Sequence, residues 1–582
     1  MRDIHHPVLR LAAACLLAAC GSAPGDPPAD GGHDGAPQSD SATPDAGTTN
    51  HARVFAINPV TTPDPIDVDL ADVADDQGGA LTSAADGDGV RRLRVLSCED
   101  EGETVFVMGI GTQRICTLRH RADKETHGHF VYQDWDDDVA GIYQPDDVHA
   151  EVSLYYHAAR IYDLLASPEV GLFDRLPGVH DGLAGPVPIN LVANYRLPAP
   201  EDATALSPAT VAFFVPADHM RMGMDKVQGL LGYDGDFLVF GQAASLDFAY
   251  DGETVYHELG HLVIHALADL DGVTADPYGL THLGGALNEG LADTFALVVS
   301  GNPSLFAYLD ERIGGGFGRP ADNDYAYPAD LVGLGVKDGM IISGANWEVL
   351  ALLEADAALD ATGFARVLLL TLERLAGQTP WTTYQPYADA FTDALTAEGL
   401  GDHVAAVTDI FADRGLYDPL RAVDITAYTG QPHEVLFTGG ALDAPWNTWL
   451  RVDEGGGTYT DIAPAYVQAT VTTTASATAF TVSAVLTPRP TGMTPGAPPD
   501  LDYRLYLRAG APVGYTPIAG TIVDVTRDLM ASPTLDTVTT PSGPKDRATW
   551  HIDGLVPDTV QYLHFVNYGE TDGVLSEITV TQ

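Results

Sequence analysis

Two histidines four residues apart, His257 and His261, constrain this chain more than any other feature. Both lie in the proline-free run ETVYHELGHLVIHALADL. On a helix that spacing puts two imidazoles on one face, where both reach one ion. Val255, Leu259, Leu262, Val263 and Ala266 supply apolar packing positions, so the helix is expected to form and bury. Glu258 follows His257 directly and is placed to reach a water held by such an ion. A second helical run, GGALNEGLADTFALVVSG, comes later, with 27 residues between His261 and Glu289. Leu287, Leu291, Phe295 and Val298 form its apolar stripe, and Glu289 and Asp293 stand four apart on another face. Glu289 is the expected third ligand, completing a His, His, Glu zinc site with one position open to water. Asp293, one turn on, is expected to accept the remaining N–H of His257 and so fix its tautomer.

The rest of the chain changes texture in blocks. Its 582 residues exceed one hydrophobic core. Residues 1–20 hold Arg2, Arg10 and a short apolar run ending in LAAC, too brief to span a bilayer. That ending resembles a bacterial lipoprotein signal, in which Cys20 would be lipidated; an ordinary secretory signal cleaved nearby is the alternative. Either one takes the mature protein out of the cytoplasm. Residues 21–52 are mostly Gly, Ala, Pro, Asp, Ser and Thr and are expected to be a disordered tether. Residues 53–147 read as β-rich, with RRLRVLSC, ETVFVMGIG and GHFVYQ as strands. Residues 148–420 read as the metal-binding domain: a helix over 148–167 holding His157 as a packing residue, strands at VPINLVANY, ATVAFFVP and 236–243, then long amphipathic helices. Residues 421–582 turn to Thr, Val and Ala strands between Pro and Gly turns, an expected all-β sandwich. With Cys15 and Cys20 in the signal, Cys98 and Cys116 remain, and an oxidising compartment suggests one disulfide between them.

HELGH followed by NEGLAD resembles the gluzincin peptidases of the thermolysin and fungalysin type, the ligand spacing being closer to the fungalysin-like branch. RVFAINPV, SLYYHAARIYD, PVPINLVAN, DFAYDGETVYHELGH and GMIISGANWEVL occur in the order of that branch, so the resemblance covers residues 53–417. A metzincin is not matched, because Ile264 and Leu267 occupy its Gly and third His positions. The resemblance implies an α+β fold: a thermolysin-like zincin region, β-rich first and helical after, with the all-β sandwich module behind it. It implies a zinc endopeptidase acting on extracellular proteins or peptides, with Glu258 as general base. It also implies that residues 236–243 form an edge strand to which an extended substrate adds. The chain departs from the family at the oxyanion-holding histidine: the matching segment reads Val336, Lys337, Asp338, Gly339. Lys337, His282, Tyr278, Tyr325 and Tyr327 are the candidate replacements.

Charge narrows the partners. Lys and Arg number 29 against 81 Asp and Glu, a formal net charge of -52, which repels phosphate backbones and argues against nucleic acid. The acidity suits solubility; calcium is a second candidate ion, with residues 134–138 and Asp269, Asp271 and Asp276 considered, but no EF-hand spacing supports an assignment. His265 and His282 are expected to pack or to face solvent rather than bind metal. The expected location is the bacterial envelope, lipid-anchored at the outer membrane or cell surface, or the extracellular space. Beside the peptidase stand two alternatives: a catalytically impaired binding protein on the same fold, and a narrow-specificity peptidase whose β module docks substrate or cell-wall polymer.

Overall fold

The structure, a computed structural model, describes residues 50–582 apart from 71, 75–79, 85–91, 108–110, 123–128, 133–143, 177–186, 200–201, 218–232, 244, 269, 271–273, 315, 379–380, 427–434, 438–449, 456–457, 489–501, 520–521, 541–542 and 570–572. The signal, Cys20, nearly all of the tether and the acidic run 134–138 lie outside the described residues. Among the described residues no helix is long and apolar enough to cross a membrane.

The chain is a mixed α and β protein with several sheets. Strands β1 (His51–Val54) and β2 (Ile66–Asp69) pair antiparallel, so ordered structure begins inside the expected 21–52 tether. Strands β3 (Leu93–Glu99), β4 (Thr104–Val107), β5 (Gly111–Arg114) and β6 (Thr117–Arg119) follow. Of GHFVYQ the described residues 129–132 form no strand; their contribution is a single bridge from Phe130 to Ala52. Helix α1 (His149–Ala166) then lays Val152, Tyr155 and Ile161 into the core. His157 packs as expected, fully buried, with Nδ1 2.7 Å from the Tyr256 hydroxyl.

Strands β7 (Ile189–Ala199), β8 (Asp202–Pro208), β9 (Ala212–Val215), β10 (Phe237–Ala243) and β11 (Leu246–Asp247) join β3 and β6 in one seven-stranded sheet. β3 and β10 both run parallel to β7, so residues 53–147 and the metal-binding region share a sheet and are not separate layers. The Cys98–Cys116 disulfide forms and encloses the β4–β5 hairpin. One expectation is corrected. β10 is not an edge strand: β7 lies on one side and β9 pairs antiparallel on the other, from Phe237 opposite Val215 to Phe240 opposite Ala212. Among the described residues β9 has β10 as its only strand neighbour, and helix α2 packs beside it.

Helix α2 (Gly252–Leu267) starts where Asp251 accepts from Thr254 N, a side-chain cap that satisfies an orphan donor of the first turn. The hairpin β12 (Thr274–Asp276) and β13 (Gly279–Thr281) leads into α3 (Leu283–Ser300), which ends at Gly301 in the left-handed region, φ 66°. The stripes foreseen on both helices are buried and face each other; a Cβ on Gly260 would lie 3.1 Å from Ala292 Cα, so the axes approach closely. Strands β14 (Ser304–Leu305) and β15 (Arg319–Pro320), the turn-length α4 (Gly335–Asp338) and α5 (Met340–Ala355) pack around α3. Beyond residue 420 a nine-stranded and a five-stranded sheet face one another, with Trp550 of one 5.3 Å from Phe565 of the other between ring centroids.

Candidate metal centre

His257 and His261 leave α2 on one side, rings 4.4 Å apart between centroids. Glu289 comes from α3 to meet them: its Oε2 lies 3.5 Å from His257 Nε2 and its Oε1 3.7 Å from His261 Nε2. Donors held at about 2.1 Å around a tetrahedral ion are about 3.4 Å from one another, so these spacings fit a divalent cation such as zinc. This is the one such group of three His, Cys, Asp or Glu donors among the described residues.

The other ring nitrogens are engaged. His257 Nδ1 lies 2.9 Å from Oδ1 of the fully buried Asp293, an ion-pair distance outside the geometry of the hydrogen bond expected from the sequence. His261 Nδ1 lies 2.8 Å from Asn288 Oδ1, a partner that sequence reasoning missed. A carboxylate and an amide oxygen at the two Nδ1 atoms favour a proton there, so that a neutral imidazole at either position would turn its Nε2 lone pair toward Glu289. A second missed residue is Arg319. Its Nη1 lies 3.0 Å from Glu289 Oε2 and 3.0 Å from Asp293 Oδ1, and its guanidinium stacks 4.2 Å from the Phe306 ring centroid.

These charges set the protonation states of the metal-free site. Burial and Arg319 pull the His257 pKa down, but Asp293 and Glu289 outweigh them and raise it to about 9. Burial pushes the Glu289 carboxyl up, yet His257, His261 and Arg319 hold it well below the usual carboxylate range. The ligand set therefore carries a proton at neutral pH that a cation would displace. Glu258 is almost wholly buried, and that burial raises its pKa against the opposing pull of His261 and His257. A raised carboxyl pKa suits a general base that must also release its proton.

No known family model matches the chain, and no curated protein is similar to it.

The remaining candidates have their described contacts elsewhere than with His257, His261 and Glu289. His282 sits before α3 with its ring 6.1 Å from that of Tyr466, and burial lowers its pKa to about 4. Tyr278 lies beside Arg421, and Tyr327 is buried edge-on to Tyr384. Tyr325 is 38% exposed. Lys337 alone belongs to a segment that touches the site, since Gly335 and Gly339 both back onto the Glu289 side chain; its Nζ donates to Gly316 O at 2.8 Å. Val336, where the resembled family has histidine, is 42% exposed. Asp276 is corrected as a calcium candidate: it is buried in an ion pair with Arg421. His265 packs against Phe214 at 5.8 Å and stays outside the ligand set.

Proposed function

We propose that this chain is a zinc-dependent endopeptidase of the gluzincin type, with a thermolysin-like catalytic region, acting on extracellular proteins or peptides. The observation that carries this reading is the convergence of His257, His261 and Glu289 from two helices at metal-ligand spacing. Zinc in that grip would supply Lewis acidity, polarising a carbonyl and acidifying a bound water. Glu258 takes a proton from the attacking water and passes it to the leaving amine. Arg319 holds the Glu289 and Asp293 carboxylates in fixed orientation, and Asp293 and Asn288 hold the imidazoles. An extended peptide adds to β9, not to β10 as the sequence suggested, because among the strands of this sheet with one described neighbour β9 is the one packed against α2.

The test is metal content and casein cleavage in the wild type and in Glu258→Gln. The variant is expected to keep its zinc and to lose about 10²–10⁴ in rate, the share a positioned proton carrier supplies. Equal cleavage by both proteins would reject Glu258 as base. A non-catalytic binding protein on this fold is the second reading. It draws on one observation, the exposed Val336 where the family has its oxyanion histidine. A wild type that holds zinc but cleaves no member of a peptide library would favour it.

A further inference from the structure

The hairpin β12–β13 is the last element before the helix that carries Glu289, and the C-terminal module is packed against it. Tyr515, in the module, donates its N–H to Pro277 O at 3.2 Å. Gly279, at φ 116°, brings the hairpin so near the module that a Cβ there would lie 3.4 Å from Pro464. Arg421, at the junction, is fully buried, its Nη2 3.0 Å from Asp276 Oδ1 and its guanidinium 4.5 Å from the Tyr466 ring centroid. Its carbonyl accepts from Gln468 N at 3.1 Å, which ties it to the module's sheet.

Two routes run from this cluster to Glu289. The Tyr466 hydroxyl accepts the His282 N–H at 2.9 Å, and His282 is the residue on which α3 begins. The Tyr466 ring also closes on Gly333, where a Cβ would lie 3.0 Å from Tyr466 Cγ. Gly333 N donates to Asp338 at 3.0 Å in α4, the turn that rests on the Glu289 side chain. An ion pair withdrawn from water is weak evidence for stability, because desolvation offsets its attraction. A role in fixing position accounts for it better.

We propose that the C-terminal module is a brace for the metal centre rather than a separate substrate-docking unit, and that Arg421 is the positioning residue through which it holds α3 and Glu289 in register. The proposal rests on the reading of His257, His261 and Glu289 as a metal site. It is tested on the full chain with Arg421→Met, Arg421→Lys and Tyr466→Phe. Arg451→Ala is the control, since Arg451 and Asp461 form an exposed pair in the same module. Hydrogen exchange across residues 283–290 and zinc affinity by chelator competition are the readouts. Arg421→Met is expected to speed exchange there about tenfold and to weaken zinc by about 10–100-fold, the range for lost support behind a ligand. Exchange in the module strand Ala479–Pro488 should stay as in the wild type, and Arg421→Lys should recover part of the affinity. A folded Arg421→Met with wild-type exchange and affinity would overturn the brace. Should that variant not fold, Tyr466→Phe gives the same decision: it removes the hydroxyl that accepts the His282 N–H and meets the Thr281 side chain, and unchanged values in it are equally fatal. A wild type that binds no zinc would sink the metal-site reading, and exchange at 283–290 would then decide the brace alone.

Discussion

His149 is fully buried, edge-on to Tyr250 at 5.1 Å and to Phe55 at 6.3 Å between ring centroids, and neither ring nitrogen has a hydrogen-bond partner. Burial alone lowers its pKa from 6.5 to about 3. Between those values the unfolded chain binds a proton that the folded one refuses, so this residue's contribution is full above the unfolded value and is lost as pH falls through the window. His149→Phe is predicted to flatten the fall in stability from about pH 6 to about pH 4 by about 1.4 kcal/mol per pH unit. Urea unfolding at several pH values measures it, and an unchanged slope would trace the acid sensitivity to other groups. At this scale the sequence was legible where residues share a helix face. His257 with His261 and Glu289 with Asp293 are pairs four apart, and the structure brings the four together. Asn288 was missed because it sits beside the more conspicuous Glu289. Arg319 was missed because it arrives from a two-residue strand with no periodic relation to the ligands.

At the scale of elements, the close approach of α3 to α4 and α5 decides where Glu289 stands. A Cβ on Gly290 would lie 2.4 Å from Gly339 O and 2.7 Å from Ile342 Cβ, so backbone must move to admit it. Gly290→Ala is predicted to cost about 1–3 kcal/mol, as overpacking does, and to weaken metal binding, because the displaced neighbour is Glu289, the proposed third ligand. Gly285, on the same helix with nothing within 4 Å of its would-be Cβ, is the control. Alanine there should stabilise by about 0.5–1 kcal/mol. Thermal unfolding and chelator competition check both; a harmless Gly290→Ala would mean that the helices part without moving Glu289. Helix existence was readable from apolar periodicity, which is local. Strand rank was not. Residues 236–243 were rightly read as a strand, but whether a strand lies at an edge depends on what pairs with it. Here β9 takes the side expected to be free. Residues 129–132 of GHFVYQ have strand composition without a strand, their one described bridge being Phe130 to Ala52.

For the whole molecule, the lipid anchor and tether expected from the sequence would set where the proposed site works. Cys20→Ser is predicted to move the protein from the membrane fraction to the soluble fraction, because one acyl chain contributes about 0.8 kcal/mol per buried CH₂ and no described helix offers a second hold. Fractionation with labelled palmitate checks this; a variant that stays membrane-bound would point to another attachment. Shifts in composition suggested the block boundaries, yet composition does not reveal contact. β3 belongs to the same sheet as β7, across the boundary expected at residue 147. Arg421, at the boundary expected between peptidase and module, is buried between them. The sequence by itself determined two helices, the His257, His261 and Glu289 positions on them and the disulfide, because spacing along a helix and cysteine count are properties of the chain alone. Only the tertiary structure decided that Asn288 and Arg319 stand at the site, that β9 pairs with β10 and that Arg421 and Tyr466 meet the hairpin before α3, because each depends on segments that do not meet along the chain.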